Sequence, residues 1–379
     1  MIRHIPLSVP CFRGNEIAYV TQVMQEEWVS TAGKAISDFE DQLSKYVKAN
    51  YAVACQSGTA GIHLAMVSQG IGKNDIVLVP TLTFIAAVNP VKYVNATPIF
   101  MDCDDGLTLD PCKLEDFCVK ECHFTDGHLI HIKTGKWVRA IVVVHVFGNM
   151  ADMESIMDIA KRYEIKVIED ATEALGTYYT SGKYVGKYAG TIGDIGVFSF
   201  NGNKIITTGG GGMIVTDNEH IANGCRHLST QAKRDSVFFD HDEIGYNYRM
   251  TNLQAALGLA QLEQLEQFIL RKENNYQRYV RQDIMLLPFR RNIRPNYWFY
   301  SYMSEDRDKA LKLLTQNAIQ ARPVWKLIHT LKPYKDEFSY LIEKAVFYYD
   351  RILNLPCSTG LTEEDLDRVV SVLKEGMAV

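Results

Sequence analysis

Ser199-Phe200-Asn201-Gly202-Asn203-Lys204-Ile205-Ile206-Thr207-Thr208-Gly209-Gly210-Gly211-Gly212 sets one lysine between an apolar run and four successive glycines. Val197-Phe198-Ser199-Phe200 has the β-branched and aromatic character of a buried strand, and Met213-Ile214-Val215 resumes it. Glycines between them let the backbone pass close to a ligand. Upstream, Val167-Ile168-Glu169-Asp170 is a second short apolar run, closed by a carboxylate. Lysine forms a Schiff base with an aldehyde when its amine is not permanently protonated. A lysine on such a loop, with Asp170 ending a neighbouring strand, reads as a site for pyridoxal phosphate.

Strand C-termini are where open α/β sheets bind ligands, and a carboxylate there keeps a pyridine nitrogen protonated, so that the ring draws electrons from the substrate carbon. Asp170 is the candidate; the alternative is an N-cap for a following helix. Further outward, Tyr51-Ala52-Val53-Ala54-Cys55-Gln56-Ser57-Gly58-Thr59-Ala60-Gly61-Ile62-His63-Leu64 reads as strand, tight turn and helix. The N–H groups of Gly58 and Thr59 at that helix start, with the Ser57 and Thr59 hydroxyls nearby, suit a phosphate. A nicotinamide-type G-x-G-x-x-G is missing, since Gly209 to Gly212 follow Lys204 and lead straight into a strand, and no G-x-x-x-x-G-K-[ST] occurs.

Around these segments, Ile76-Val77-Leu78-Val79, Pro98-Ile99-Phe100-Met101 and Ala140 to Val144 alternate with amphipathic stretches, which predicts an α/β fold with a mainly parallel sheet. Ala255 to Leu270 reads as one long helix, and the expected division lies beside it: a large domain over 1–262 and a smaller α+β domain over 263–379. The 379 residues, 47% hydrophobic and 22% charged, suffice for a large core, and a net charge of −5 argues against a nucleic-acid partner. No apolar run approaches the length of a membrane span and no export leader is apparent, so the expected location is the cytoplasm. Eight irregularly spaced cysteines give no disulfide framework, and Cys118, Cys122 and His123 make a poor zinc signature, so no metal is expected.

The chain resembles the nucleotide-sugar aminotransferases of the DegT/DnrJ/StrS group. The resemblance runs through Trp28 to Gly33, Ser57 to Ala60, Pro80 to Phe84, Val144 to Gly148, Glu169-Asp170-Ala171, Gly193 to Gly196, Ser199 to Lys204, Gly245 to Arg249 and Arg322 to Trp325. It implies the aspartate-aminotransferase fold (fold type I) and a pyridoxal 5′-phosphate cofactor that passes through its pyridoxamine form. Lys204 would carry the cofactor and shuttle protons, and Asp170 would pair with its ring nitrogen. Phe84 would stack on the ring, and Gly58, Thr59 and Ser199 would hold the phosphate. Asn247 would reach the phosphate from a neighbouring subunit, making the working unit a homodimer. Glu173 stands where many relatives carry Gln against the cofactor's 3-oxygen. A non-catalytic regulator that binds the same groups is the alternative from another class.

The same resemblance implies L-glutamate as amino donor and a ketosugar nucleotide as acceptor, met by Ser30, Thr31, His145, Tyr248, Arg249 and His329. The segment His123 to Arg139 reads as a β-hairpin turning at Lys133-Thr134-Gly135-Lys136. This extended segment, together with Phe198 to Gly212, resembles the subgroup acting on 4-keto-6-deoxy-N-acetylhexosamine nucleotides in legionaminic acid and bacillosamine-type pathways. The expected substrate is therefore the UDP-linked 2-acetamido-2,6-dideoxy-4-keto-hexose. A GDP-linked or 3-keto sugar is the alternative.

Overall fold

In the computed structural model, which describes residues 3–235 and 237–377, the apolar runs assemble into one ten-stranded sheet. Its strands are β1 (Tyr51–Cys55), β2 (Asp75–Pro80), β3 (Thr97–Met101), β4 (Cys122–Thr125), β5 (His128–His131), β6 (Trp137–Val144), β7 (Lys166–Asp170), β8 (Ile195–Ser199), β9 (Gly212–Thr216) and β10 (Ser339–Tyr340). The order is β1-β9-β8-β7-β6-β2-β3-β10, with the β4–β5 hairpin hung from β6. β8, β7, β6, β2, β3 and β10 run parallel, while β9 is antiparallel to both β8 and β1. Central strands such as β2 are buried along their whole length, which is why they read as continuous apolar runs rather than alternating ones.

Every predicted strand lies in this sheet. Two local readings are revised. The expected helix from Ala255 to Leu270 is two helices, Asn252–Leu262 and Leu265–Arg281. The break is held from outside: the side-chain amides of Gln261 and Gln264 both donate to buried Glu16, at 2.6 and 2.9 Å. The segment 123–139 does turn at Thr134-Gly135, with Gly135 N–H on the His131 carbonyl. It also folds back earlier, through Asp126 (φ 48°) and Gly127 (φ 75°), as the two-residue hairpin loop between β4 and β5.

After the helix break, Tyr300–Met303, Arg322–Pro323 and Ile352–Leu355 form a separate three-stranded sheet. The N-terminal residues side with this later part rather than with the large sheet. Ile5 N–H bonds to the Ala318 carbonyl at 3.0 Å, and Cys357 N–H bonds to the Leu7 carbonyl at 2.8 Å. No helix among the described residues is long and apolar enough to cross a membrane.

Candidate active site

Three strand ends converge because β9 lies between β1 and β8. The chain leaving β1 enters the helix Gly58–Ser68, whose N-cap Ser57 accepts the Ala60 N–H at 3.1 Å. That hydroxyl is thereby committed to the cap, while the first N–H groups of the helix have no acceptor within it. Gly58 is required by space: a Cβ there would lie 2.9 Å from Thr172 Cγ2 and 3.0 Å from Ser199 Cβ. A recess is thus bounded by the helix start, the loop after β7 and the end of β8.

Around this recess opens a cleft of about 570 Å³, lined by Gly58, Thr59, Phe84, Asp170, Glu173, Ser199 and Lys204 among others. All seven residues expected to hold the cofactor within one chain, Lys204 included, therefore meet in one cavity. Phe84 is 51% exposed on its wall, with the Trp325 ring 6.3 Å away. Trp325 in turn packs 4.7 Å from Phe147.

Asp170 is buried at the end of β7, and the segment after it is a turn rather than a helix, so the N-cap reading does not apply. Its Oδ1 accepts the Thr172 N–H at 3.1 Å. Burial pushes its pKa up, although Thr172 and the charge of Lys204 pull the other way. Among the described residues, no Lys, Arg or His nitrogen lies within 4 Å of its carboxylate. A buried carboxylate in that position gains from an arriving cation, and a protonated pyridine nitrogen supplies one.

Lys204 Nζ lies 3.4 Å from Glu173 Oε1 and 4.3 Å from the centroid of the Trp298 ring. The other oxygen of Glu173 accepts the Phe147 N–H at 2.9 Å. Phe147 is left-handed (φ 57°, ψ 21°), and Gly148 after it has φ 91°. Burial pushes the Glu173 carboxyl up to about 7, against the opposing pull of Lys204 and the Phe147 N–H. Since the folded value lies above the unfolded one, this contribution to stability is complete below the unfolded value and is lost as pH rises through about 7. The span is worth up to about 3 kcal/mol. Glu173→Gln should remove it: in cofactor-stripped protein the wild type should lose stability relative to the variant between pH 5 and 8, read by thermal unfolding. Parallel curves would mean that Glu173 carries no such proton.

The expected substrate contacts fare differently. His145 does not face the cleft. It is fully buried, with Nε2 2.8 Å from Glu169 Oε2 and Nδ1 accepting the Ala151 N–H at 3.2 Å. Both ring nitrogens are used, which makes His145 a brace behind β7 rather than a substrate ligand. Glu169 also accepts N–H groups from Gly190, Ile192 and Gly193. Burial alone would raise its pKa, but His145 and those donors hold it below the ordinary carboxylate value.

Ser30, Thr31, Tyr248, Arg249, His329 and Asn247 are also outside the lining of the cleft formed by their own chain. Tyr248 stacks on Tyr246, at 5.0 Å, beside His63. Arg249 reaches toward Gln231, and the Ser30 carbonyl accepts the Asn252 N–H at 2.6 Å. His329 Nδ1 is 2.6 Å from the Thr81 hydroxyl. Asn247 is exposed on a segment bridged to Thr230. In their place the cleft gains Trp298, Phe147, Asn203 and Arg322, the last bringing a second cation to the lining. Nothing in the spacing of Trp298 marks it, because its place depends on a fold-back from the later part of the chain.

Comparison with known proteins identifies the family. Residues 10–374 match the model of the DegT/DnrJ/EryC1/StrS aminotransferase family. The chain is 36% identical to a GDP-perosamine synthase of Escherichia coli O157:H7, covering 99% of both chains. It is 37% identical to a GDP-perosamine synthase of Caulobacter vibrioides, covering 98% of both. Its fold superposes on the crystal structure of a DegT/DnrJ/EryC1/StrS aminotransferase from Brucella abortus with a TM-score of 0.87, at 27% identity and 95% coverage of each chain. The chain belongs to the DegT/DnrJ/EryC1/StrS aminotransferase family and is a pyridoxal-phosphate-dependent sugar aminotransferase of fold type I.

Proposed function

We propose that this enzyme transfers an amino group from L-glutamate to C4 of a GDP-linked 4-keto-6-deoxy sugar, working in the cytoplasm as a homodimer. The observation that carries the reaction type is the meeting of Lys204, Asp170 and the Gly58–Thr59 helix start in one cleft. The GDP-linked sugar is favoured over the UDP-linked N-acetyl sugar of the legionaminic acid and bacillosamine subgroup by the relatives, which are named for GDP-perosamine.

When bound, the cofactor would supply an electron sink and, in its pyridoxamine form, the amino group that is passed on. The chain's own residues do the rest. Gly58, Thr59 and Ser199 would hold the phosphate, and Phe84 would pack against the ring. Asp170 keeps the ring nitrogen protonated from its buried position. Lys204 Nζ takes a proton from the carbon that loses the amino group and returns one to the carbon that gains it, a task within reach of a neutral amine. Glu173, titrating near neutrality, sits where it takes up or releases a proton beside that amine. Arg322 offers a positive charge to the donor's carboxylate or to the acceptor's diphosphate. Asn247, exposed and away from its own cleft, suits service in the cleft of the other subunit.

We place the domain division at the helix break, 1–262 and 263–379, with the first residues docked on the smaller unit. The test is the visible absorbance of the loaded enzyme. Glutamate should abolish the band, and the GDP-linked 4-keto-6-deoxy sugar should restore it faster than its UDP-linked N-acetyl counterpart. Faster recovery with the UDP sugar would return the assignment to that subgroup, and a band indifferent to glutamate would exclude it as donor.

A further inference from the structure

Lys272 is a charged residue on the wrong side of its helix. Leu265, Phe268, Ile269, Tyr276 and Tyr279 form the buried stripe of Leu265–Arg281, and Lys272 lies in the middle of it, 3% exposed. Among the described residues, no carboxylate oxygen lies within 4 Å of its ammonium. Instead, Nζ donates to two backbone carbonyls, Trp298 at 3.0 Å and Cys357 at 2.6 Å. A buried ammonium is costly unless its hydrogen bonds are met, and burial lowers its pKa accordingly.

What the lysine holds is a clasp across the active site. Asn296, fully buried, donates through its amide to the carbonyls of Glu173 and Leu175, both at 2.9 Å. Its own N–H bonds to Thr177 Oγ1 at 3.0 Å, and its Oδ1 accepts the Trp298 N–H at 3.0 Å. The Trp298 indole N–H donates to the Asn203 carbonyl at 2.8 Å, one residue before Lys204, and its ring lies under Lys204 Nζ. Residues 296–298 thus tie the loop bearing Glu173 to the loop bearing Lys204, and Lys272 fixes the far end of the tie.

We propose that Lys272 and Trp298 are positioning residues for Lys204, holding its amine against Glu173 at the point where the cofactor's aldehyde arrives. The inference rests on Lys204 being the amine that bonds the cofactor. In that step the Lys204 nitrogen bonds to the aldehyde carbon, and the carbonyl oxygen leaves as water. A displacement of about 1 Å in a reacting group costs roughly a hundredfold in rate. The Trp298 ring beneath Lys204 Nζ also limits where the amine can swing, a flat wall that an aliphatic side chain does not supply.

The test separates covalent from non-covalent capture. Cofactor-stripped wild type, Lys272→Met, Lys272→Arg, Trp298→Phe and Trp298→Leu are given pyridoxal phosphate. The bond to Lys204 is fixed by borohydride at timed intervals and located by mass spectrometry. Affinity for pyridoxamine phosphate, which forms no such bond, is measured in parallel. Attachment should slow by about ten- to a hundredfold in Lys272→Met and Trp298→Leu, with pyridoxamine phosphate affinity within a few-fold of wild type in Lys272→Met, whose side chain lies outside the cleft lining. Lys272→Arg, which keeps donors for both carbonyls, and Trp298→Phe, which keeps the ring, should recover most of the rate. Attachment at the wild-type rate in both severe variants overturns the proposal, as does equal loss of attachment and affinity in Lys272→Met. Should Lys272→Met fail to fold, the two Trp298 variants decide alone. Wild type that attaches no cofactor at Lys204 would instead remove the assignment of Lys204 itself.

Discussion

Replacing Lys204 by alanine should lower transamination by about 10²–10⁴-fold and abolish the visible band of the lysine-bound cofactor. On the proposed roles two functions vanish together: the covalent attachment and the amine that moves the proton. The rest of the cleft should remain. Gly58 is still packed between Thr172 and Ser199, and Asp170 still awaits a cation. The variant should therefore keep measurable affinity for pyridoxamine phosphate, read by equilibrium dialysis. Added small amines should restore part of the rate, because the missing group is a base of the right kind. Full activity in Lys204→Ala would overturn the catalytic reading and revive a binding-only role.

Asp170→Asn should produce two effects of opposite sign. Activity should fall by about 10²–10³-fold, since the ring nitrogen loses the buried charge that keeps it protonated. Stability of the cofactor-stripped protein should rise. Burial raises the Asp170 pKa above its unfolded value, so its carboxylate detracts from stability once pH passes through that raised value. Asparagine has the same shape, still offers an oxygen to the Thr172 N–H, and carries no charge. A higher Tm without cofactor, paired with lower activity when loaded, is the expected pair. A variant that loses both would show that Asp170 supports the fold rather than the ring.

Much of this architecture was legible because its parts are local. Strands buried on both faces announce themselves as apolar runs, and each loop expected to carry a cofactor residue follows such a run directly. That Lys204, Asp170 and Gly58 share one cleft could therefore be expected from order alone. Groups that act across the fold could not. His145 follows a strand as a ligand would, yet Glu169, displayed on the neighbouring strand, captures its ring. The helix expected to run from Ala255 to Leu270 breaks where a glutamate from residue 16 binds two of its glutamines. Asp126-Gly127 is a strong hairpin signal that the reading of 123–139 passed over in favour of the later glycine. Lys272 did leave a trace, a lysine on the apolar stripe of an amphipathic helix, whereas Asn296 and Trp298 left none.

The antiparallel strand β9 also governs when the turn proposed to hold the phosphate is completed. β1 lies at the edge of the sheet, and its partner there is β9, Tyr51 opposite Thr216 and Cys55 opposite Gly212. Gly212 passes so close to the turn that a Cβ on it would stand 2.6 Å from the Ser57 carbonyl carbon. During synthesis, therefore, the turn made early by residues 56–59 lacks its β9 backing until Gly212–Thr216 has emerged from the ribosome. Closing so long a loop is slow and is rewarded only at the end. A ligand that binds only where this pairing is complete would draw newly made chains toward it by mass action.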